Sequence, residues 1–229
     1  MGQPAPLAND FWMATHDRRD GKPALSPPVL GIGLAASLLC ELVMLNWVTV
    51  DREQLVLHPQ AFHTQYPDDT AQSGVLEMLM KEVTLQEGRH RSGPEIVLPV
   101  SDWIAHLQSG PAAQLVEDRL VKAAVVRRET HRPLFRAAQD VYVPVSINDS
   151  GWPALRLRIA LKEGTALSEQ DLTFAGLLLA TGMQKSAFAD LGGREFEFLA
   201  HQTAAAMRAA LRALVVCAET AVSRIVMTR

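Results

Sequence analysis

The alternation of apolar and polar positions divides the chain into helical stretches separated by short polar turns. The longest apolar stretch covers residues 29–51, and it carries leucines at helical spacing: Leu34, Leu38, Leu42 and Leu45. Other apolar residues fill most of the remaining circumference, as in a helix at the centre of a core. Gly31 and Gly33, near the start of this helix, permit close packing against a neighbour. The β-branched residues of NWVTVD then predict a strand.

Two other structures fit this stretch in part. A membrane-spanning helix needs about 20 apolar residues, but Glu41 would lie near the bilayer centre, where a carboxylate costs roughly 2.5–3.5 kcal/mol. The letters GIGLAA match a dinucleotide-binding fingerprint, with Asp51 near the position of a ribose-binding acid. That fingerprint needs a strand directly before its first glycine, and Pro27 and Pro28 do not suit a central strand. The sequence therefore predicts a core helix.

Helices and two short hairpins are predicted along the rest of the chain. The first helix is LANDFWMATHD, and LVLHP pairs with NWVTV in the first hairpin. Later helices are GVLEMLMKEVTL capped by Ser73, WIAHLQ capped by Ser101 or Asp102, and AAQLVEDRLVKAA with Pro111 in its first turn. Two strands, 125–129 and 140–145, form the second hairpin. Helical patterns resume at WPALRLRIALKEG, at SEQDLTFAGLLLATG capped by Ser168, and from Arg194 towards the end.

These elements predict a mainly α fold: a single helical domain over residues 1–229, with a buried central helix and small β-hairpins. The composition, 48% hydrophobic and 21% charged, is that of a globular protein. A net charge of −3 gives no electrostatic basis for a nucleic-acid partner. Cys40 and Cys217 lie in apolar runs and are expected to be buried thiols. The first residues carry no secretory signal, so a cytoplasmic location is expected.

Catalytic and metal-binding motifs are not found in the sequence. The seven histidines form no HExxH motif and accompany no CxxC motif, so we expect neither a metal nor another cofactor. Glu41 is the one carboxylate within the core helix, and burial raises the pKa of such an acid towards that of a general base. A reaction built around Glu41 is therefore the enzymatic hypothesis. A lone buried acid more often binds a neighbouring helix or an arginine, and we expect no enzyme.

Basic residues cluster in the second predicted hairpin of this slightly acidic protein. The cluster consists of Arg127, Arg128, Arg132 and Arg136. These residues form either a solvated face or a contact surface for anionic phospholipid headgroups, to which each near-surface arginine contributes about 1 kcal/mol. Leu134 and Phe135 give the hairpin an apolar tip, suited to a membrane interface or to a second subunit.

The order of these elements resembles the Golgi phosphoprotein 3 family and its bacterial relatives over nearly the whole chain. The similarity begins at LANDFWMATHDRRDGK and continues in GLAASLLCELVMLNWVTV, which is similar to the family's core helix and following strand. The remaining pieces follow in the family's order: GVLEMLMKEV, DWIAHL, VEDRLVKAAVVRRE and LRLRIALKEG…LTFAGLLLATGM. Order and spacing carry this resemblance, since each piece alone is weakly specific.

The resemblance implies a mostly helical, non-enzymatic protein that lies peripherally on membranes. Eukaryotic members recognise phosphatidylinositol 4-phosphate, act as adaptors for membrane enzymes and self-associate through a β-hairpin. That hairpin corresponds to about residues 125–145 here. The implied partners are therefore an anionic lipid or membrane surface, a second copy of the chain bound through the hairpin, and a protein client. The implied location is the cytoplasm, peripheral on the inner face of the membrane.

The sequence departs from the family at the phosphoinositide pocket. Ser26 and Ala35 stand at the lipid-binding positions of a Trp and an Arg, and residues 110–113 lack the arginines of a later helix. An anion site without its cations loses charge-assisted hydrogen bonds worth roughly 1.5–3 kcal/mol each. A changed lipid specificity is expected, and a soluble interaction module without lipid binding is the alternative. Ala124 replaces a helix-ending glycine, which predicts a different turn.

Overall fold

A computed structural model describes residues 5–58, 61, 70–87, 98–131 and 139–228. Its helices are α1 (Leu7–Thr15), α2 (Pro27–Met44), α3 (Thr70–Glu87), α4 (Val100–Gln108), α5 (Pro111–Lys122), α6 (Ile147–Glu163), α7 (Glu169–Ala180), α8 (Gln184–Ala187), α9 (Gly193–Ala206) and α10 (Ala209–Met227). Its strands are β1 (Val48–Asp51), β2 (Gln54–Leu57), β3 (Leu98–Pro99), β4 (Val126–His131) and β5 (Gln139–Pro144). The mainly α fold predicted from the sequence is confirmed.

Helix α2 lies at the centre of the fold. Its residues from Val29 to Val43 are all buried, and α1, α4, α5, α7 and α10 pack around it. Among the described helices it alone has the length and composition to cross a bilayer, yet 83% of it is buried inside the protein. The prediction of a core helix is confirmed, and burial on all sides explains why its apolar pattern shows no polar face.

The glycines of α2 serve helix packing. The helix begins at Pro27, so GIGLAA lies within it, and the strand–turn–helix context of a dinucleotide fingerprint is absent from this part of the structure. A Cβ atom on Gly33 would lie 2.1 Å from Cζ of Phe11 in α1, and one on Gly31 would lie 2.6 Å from the carbonyl oxygen of Gln108 in α4. The predicted close packing at both glycines is confirmed.

The first hairpin turns through two charged residues. Strands β1 and β2 are antiparallel with Asp51 opposite Gln54, and β3 extends this sheet beside β2. Arg52 and Glu53 join the strands with φ angles of 46° and 64°. Two left-handed residues in a row form the turn that best matches the twist of a hairpin, although Asn and Gly are favoured there. The predicted hairpin is confirmed, with backbone strain at its tip.

Two predicted helix caps were wrong. Helix α3 begins at Thr70, so Ser73 lies inside it. Helix α4 begins at Val100, directly after a proline, and neither Ser101 nor Asp102 caps it. In both helices the first turn extends further towards the N-terminus than the apolar pattern indicates. In α3 the first turn contains Gln72, whose side-chain amide donates a hydrogen bond of 3.0 Å to the buried Glu41.

Helix α6 also begins earlier than predicted. It starts at Ile147 and not at Trp152, and the Ser146 hydroxyl oxygen accepts a hydrogen bond of 3.2 Å from the N–H of Asp149. Pro153 therefore lies inside the helix and not at its start. A proline in a helix interior removes one backbone hydrogen bond, which is why the sequence pattern favours a start close to Pro153.

The C-terminal region consists of two helices and not one. Met207, in an extended conformation, ends α9, and α10 starts immediately after Arg208. The Arg208 side chain binds Glu169 of α7 at 2.9 Å and the carbonyl oxygen of Val43 in α2 at 3.1 Å. The break thus places a cation at the carboxyl end of the central helix, where the helix dipole favours it. The predicted Ser168 cap of α7 is confirmed.

Helix α5 ends in a left-handed turn that leads into the second hairpin. Ala124 has a φ angle of 54°. Its N–H donates to the Val121 carbonyl at 2.9 Å, and the N–H of Val125 donates to the Leu120 carbonyl at 3.0 Å. These are the two bonds of a Schellman motif, which normally uses glycine at this position. The prediction of a different turn was wrong, because alanine adopts the left-handed conformation here.

Candidate functional site

The positions of the family's lipid pocket carry no cationic side chain. Ser26 is the half-buried residue before α2, and its side chain makes no capping hydrogen bond. Ala35 is fully buried within α2 and therefore has no access to a ligand at the surface. Gly110 and Pro111 begin α5 and bring no charge. Within the described ranges, the structure therefore places no cation at the positions where the family resemblance puts the phosphate-binding residues.

The second hairpin presents two arginines to solvent. Strands β4 and β5 are antiparallel from Val126 opposite Pro144 to His131 opposite Gln139, close to the predicted boundaries. Arg127 is 65% exposed and binds Glu129 at 2.6 Å. Arg128 is 57% exposed and forms an ion pair with Asp140, which lowers the pKa of that carboxyl group.

The tip of this hairpin falls outside the described residues. It contains four residues singled out in the sequence: Arg132, Leu134, Phe135 and Arg136. The two described ion pairs at its base are exposed, and exposed pairs typically contribute only about 0–1 kcal/mol. Their arginines can therefore exchange an internal carboxylate for an external anion at little cost.

A cleft of about 350 Å³ lies between the hairpin and the turn that follows α1. Arg19 and Lys22 of that turn line it together with Arg127 of β4. The turn packs tightly on the hairpin, since a Cβ atom on Gly21 would lie 1.9 Å from the carbonyl oxygen of Tyr142. Sequence analysis did not connect Arg19 and Lys22 to the hairpin, which follows them by about a hundred residues. The cleft thus adds two cations beyond the strands, but it also contains Asp20, which pairs with Lys22 at 2.6 Å, and Glu129.

The base of the hairpin packs against a half-buried acid. Glu117 of α5 lies beside Trp12 of α1 and Tyr142 of β5, and burial raises its pKa to about 7. The Trp12 N–H meets no acceptor in good hydrogen-bonding geometry, so it stabilises the charged carboxylate only weakly. His16 stacks on the Trp12 ring at 3.8 Å, and burial lowers its pKa to about 4. Two titratable groups with shifted pKa values, Glu117 and His16, thus lie beside Trp12.

Glu41 is held in a buried network. Its two carboxylate oxygens accept hydrogen bonds from the Arg119 guanidinium at 2.8 and 3.1 Å. They also accept from the N–H of Ala8 at 2.8 Å and from the Gln72 amide at 3.0 Å. Arg119 Nε donates to the Asn9 side chain at 2.8 Å. The network joins α1, α2, α3 and α5, and a carboxylate occupied in this way lacks the freedom of a general base.

Metal-binding and redox chemistry find no support among the described residues. No group of three or more His, Cys, Asp or Glu side chains is arranged around a common point there. Cys40 is buried, Cys217 is half-buried, and both are free thiols. Burial raises the pKa of both thiols, which disfavours the reactive thiolate.

These features define a mainly helical protein whose central helix is buried and whose second hairpin exposes arginines beside a cleft. The sequence model of the Golgi phosphoprotein 3 (GPP34) family matches residues 7–227, and the chain belongs to this family. The resemblance found in the sequence is thereby confirmed. A comparison with curated proteins finds no significant match.

Proposed function

We propose that this protein is a non-enzymatic, peripheral membrane-associated protein that binds anionic phospholipid headgroups through its second hairpin. The observation that carries the proposal is that Arg127 is exposed on β4 at the cleft that contains Arg19 and Lys22, while Arg128 is exposed on the other face of the strand. The proposed location is the inner, cytoplasmic face of a membrane. Membership of the Golgi phosphoprotein 3 family supports this assignment.

The energetics favour reversible attachment. Each basic residue near an anionic membrane surface contributes about 1 kcal/mol. The four hairpin arginines with Arg19 and Lys22 supply this attraction, and the acids Asp20, Glu129 and Asp140 paired with three of them offset part of it. Arg127 and Arg128 are paired with exposed acids, Glu129 and Asp140, and such pairs contribute little free energy. A lipid phosphate can therefore replace either acid at little cost. Leu134 and Phe135 add an apolar contribution if the tip enters the interface.

We expect this binding to depend on charge more than on headgroup identity. Recognition of phosphatidylinositol 4-phosphate is what the family resemblance implies, but Ser26 and Ala35 bring no charge to the corresponding positions, and Ala35 is buried. The absence of catalysis is proposed on a separate ground. Glu41, the acid on which an enzymatic hypothesis rests, is fully engaged by Arg119 and its neighbours.

Liposome co-sedimentation tests the proposal. Neutral vesicles, anionic phosphatidylglycerol vesicles and vesicles doped with phosphatidylinositol 4-phosphate are compared at low and high salt. We expect binding to both charged types, with loss at high salt and in the variants Arg127→Glu/Arg128→Glu and Arg132→Glu/Arg136→Glu. Arg194→Glu/Arg224→Glu, with the same charge change on α9 and α10, is the matched control and retains binding. Binding that is indifferent to salt and to the hairpin variants contradicts the proposal.

A second candidate function is self-association through the hairpin, with a protein client and without lipid. The observation that favours it is that β4 and β5, in the described part of the sheet, pair only with each other. Each strand therefore offers an open edge to another chain. A stable oligomer in size-exclusion chromatography with light scattering, combined with no partitioning to any vesicle, would favour this interaction module over lipid binding.

A further inference from the structure

Helix α6 exposes an apolar stripe. Trp152 is 54% exposed, and Leu155 and Ile159 are also exposed. Their spacing of three and four residues places all three side chains on one side of the helix. Val145 and Ile147, just before and at the start of α6, are exposed too. This stripe continues directly from β5, so the basic hairpin and the apolar stripe are adjacent along the chain.

A pocket of about 460 Å³ opens beside Trp152, among α1, α6 and α7. Arg156 lies within it and binds Asp10 and Asp171 through the same nitrogen, at 2.8 Å in each case. Asp10 is buried, and the Asp171 carboxylate also accepts from the Ser168 hydroxyl at 2.8 Å. The pocket therefore combines a polar floor with an aromatic rim, and its volume suits a small ligand.

The pocket has an excess of negative charge. Asp10, Asp149 and Asp171 line it, and among its described lining residues Arg156 is the only basic side chain. Asp149 is exposed one turn before Trp152, and no side chain pairs with its carboxylate within the described part of the protein. Burial raises the pKa of Asp10 even though Arg156 is bound to it. Arg156 already binds Asp10 and Asp171, so the exposed Asp149 carboxylate is the acceptor that remains for a cationic ligand.

We propose that the pocket and the stripe together bind a phospholipid with a primary ammonium headgroup. The ammonium group lies between the Asp149 carboxylate and the Trp152 ring, and the glycerol and acyl parts follow Leu155 and Ile159. A primary ammonium offers three donors to the carboxylates, whereas choline offers none. Either cation is attracted to the face of a Trp ring, so the acids and not the ring give the selectivity.

This inference rests on the proposed membrane association but uses a different surface and a lipid of different charge. The hairpin attracts anionic lipids by charge, and α6 then contacts a zwitterionic neighbour. A lipid accounts for both features of the α6 surface, because its cationic group and its apolar part are joined in one molecule. A soluble amine would account for the pocket alone.

Trp152 provides a native reporter for the experiment. The other three tryptophans, Trp12, Trp47 and Trp103, are buried. Vesicles contain a fixed fraction of phosphatidylglycerol, with either phosphatidylethanolamine or phosphatidylcholine as the remainder. We expect a blue shift of the emission and protection from acrylamide. Binding to the ethanolamine vesicles should be about fivefold tighter, because only the primary ammonium donates to the Asp149 carboxylate. Trp152→Phe abolishes the spectral change.

Substitutions separate the two parts of the site. Asp149→Asn removes the preference for ethanolamine but leaves binding to phosphatidylglycerol intact. Leu155→Glu/Ile159→Glu weakens binding to both vesicle types by about tenfold or more, because charge is placed on the apolar stripe. Val216→Glu, at an exposed valine on α10, is the matched control and binds normally. All variants replace exposed side chains, and thermal unfolding followed by circular dichroism verifies that they fold.

Several outcomes would overturn the inference. Salt-sensitive vesicle binding that depends on Arg127 and Arg128, with unchanged Trp152 emission and no ethanolamine preference, refutes the α6 site and leaves the proposed function standing. Absence of binding to every vesicle refutes both. A lipid-free dimer that is lost in Leu155→Glu/Ile159→Glu shows that a second copy covers the stripe. A preference for ethanolamine that persists in Asp149→Asn rejects the headgroup assignment.

Discussion

The substitution Glu117→Gln is expected to change how stability depends on pH. Burial raises the pKa of Glu117 from its usual 4.5 to about 7, so the folded protein holds a proton that the unfolded chain releases. The stability from this group is complete below about pH 4.5 and is lost as pH rises through 7. His16 acts in the opposite direction, because burial lowers its pKa from 6.5 to about 4. Its contribution is complete above about pH 6.5 and is lost as pH falls through 4.

The two effects oppose each other between about pH 4.5 and 6.5. At about 1.4 kcal/mol per pH unit, each pKa change corresponds to roughly 3 kcal/mol. Glu117 keeps contact with water, which screens its interactions, so we expect about 1–2 kcal/mol from it. In Glu117→Gln the His16 effect is no longer offset. The free energy of unfolding of the variant, relative to the wild type, should therefore rise by about 1–2 kcal/mol from pH 4.5 to pH 8.

Urea denaturation at half-unit intervals of pH, followed by circular dichroism, measures this difference directly. Glu163→Gln, which makes the same substitution at an exposed glutamate at the end of α6, is the matched control. Taking the difference from the wild type cancels the titration of every other group, including Asp10. A difference for Glu117→Gln that does not change with pH would refute the claim that burial raises the pKa of Glu117.

Three further sets of substitutions test the backbone and the core by urea denaturation. Ala124→Gly should stabilise the protein by about 0.5–1 kcal/mol, because the left-handed conformation costs alanine roughly 1–2 kcal/mol and costs glycine only chain entropy. The control Ala123→Gly, at a neighbour with right-handed φ, should destabilise the protein. If both substitutions change the stability equally, Ala124 is not strained. Arg119→Met leaves Glu41 buried without its arginine and should lower the free energy of unfolding by about 3–5 kcal/mol. The double variant Glu41→Gln/Arg119→Met should recover much of this loss. A double variant as unstable as the single one would show that lost packing, and not the unpaired charge, causes the effect. Arg52→Asn/Glu53→Gly should add about 1–2 kcal/mol by relieving two left-handed residues in the first hairpin, and an unchanged urea midpoint would show that the turn is not strained.

The sequence predicted those features of the fold that depend on local pattern. Helix α2 was predictable because apolar residues surround it, and the close contacts at Gly31 and Gly33 followed from their position. Helix starts were less predictable, since a first turn makes few apolar contacts. The start of α6 was obscured by Pro153, which the fold accommodates inside the helix at the loss of one hydrogen bond.

The site could be predicted only in part, because its residues are far apart in sequence. The basic hairpin is local and was visible as a run of arginines. The pairing of Glu41 with Arg119 joins residues 78 positions apart, and that of Asp10 with Arg156 joins residues 146 apart. Periodicity gives no information on such pairs, which are set by how helices pack. A buried acid indicated that some partner exists, but the identity of that partner required the structure.

The position of α2 in the chain has a consequence for synthesis of the protein. One of the helices that cover α2 is α10, which begins about 165 residues after α2 ends. At a synthesis rate of about 5–20 residues per second, α10 is made roughly 8–33 s after α2. During this interval the nascent chain displays an apolar segment with the length and composition of a membrane anchor. Newly made chains are therefore expected to expose part of this apolar helix until α10 is synthesised.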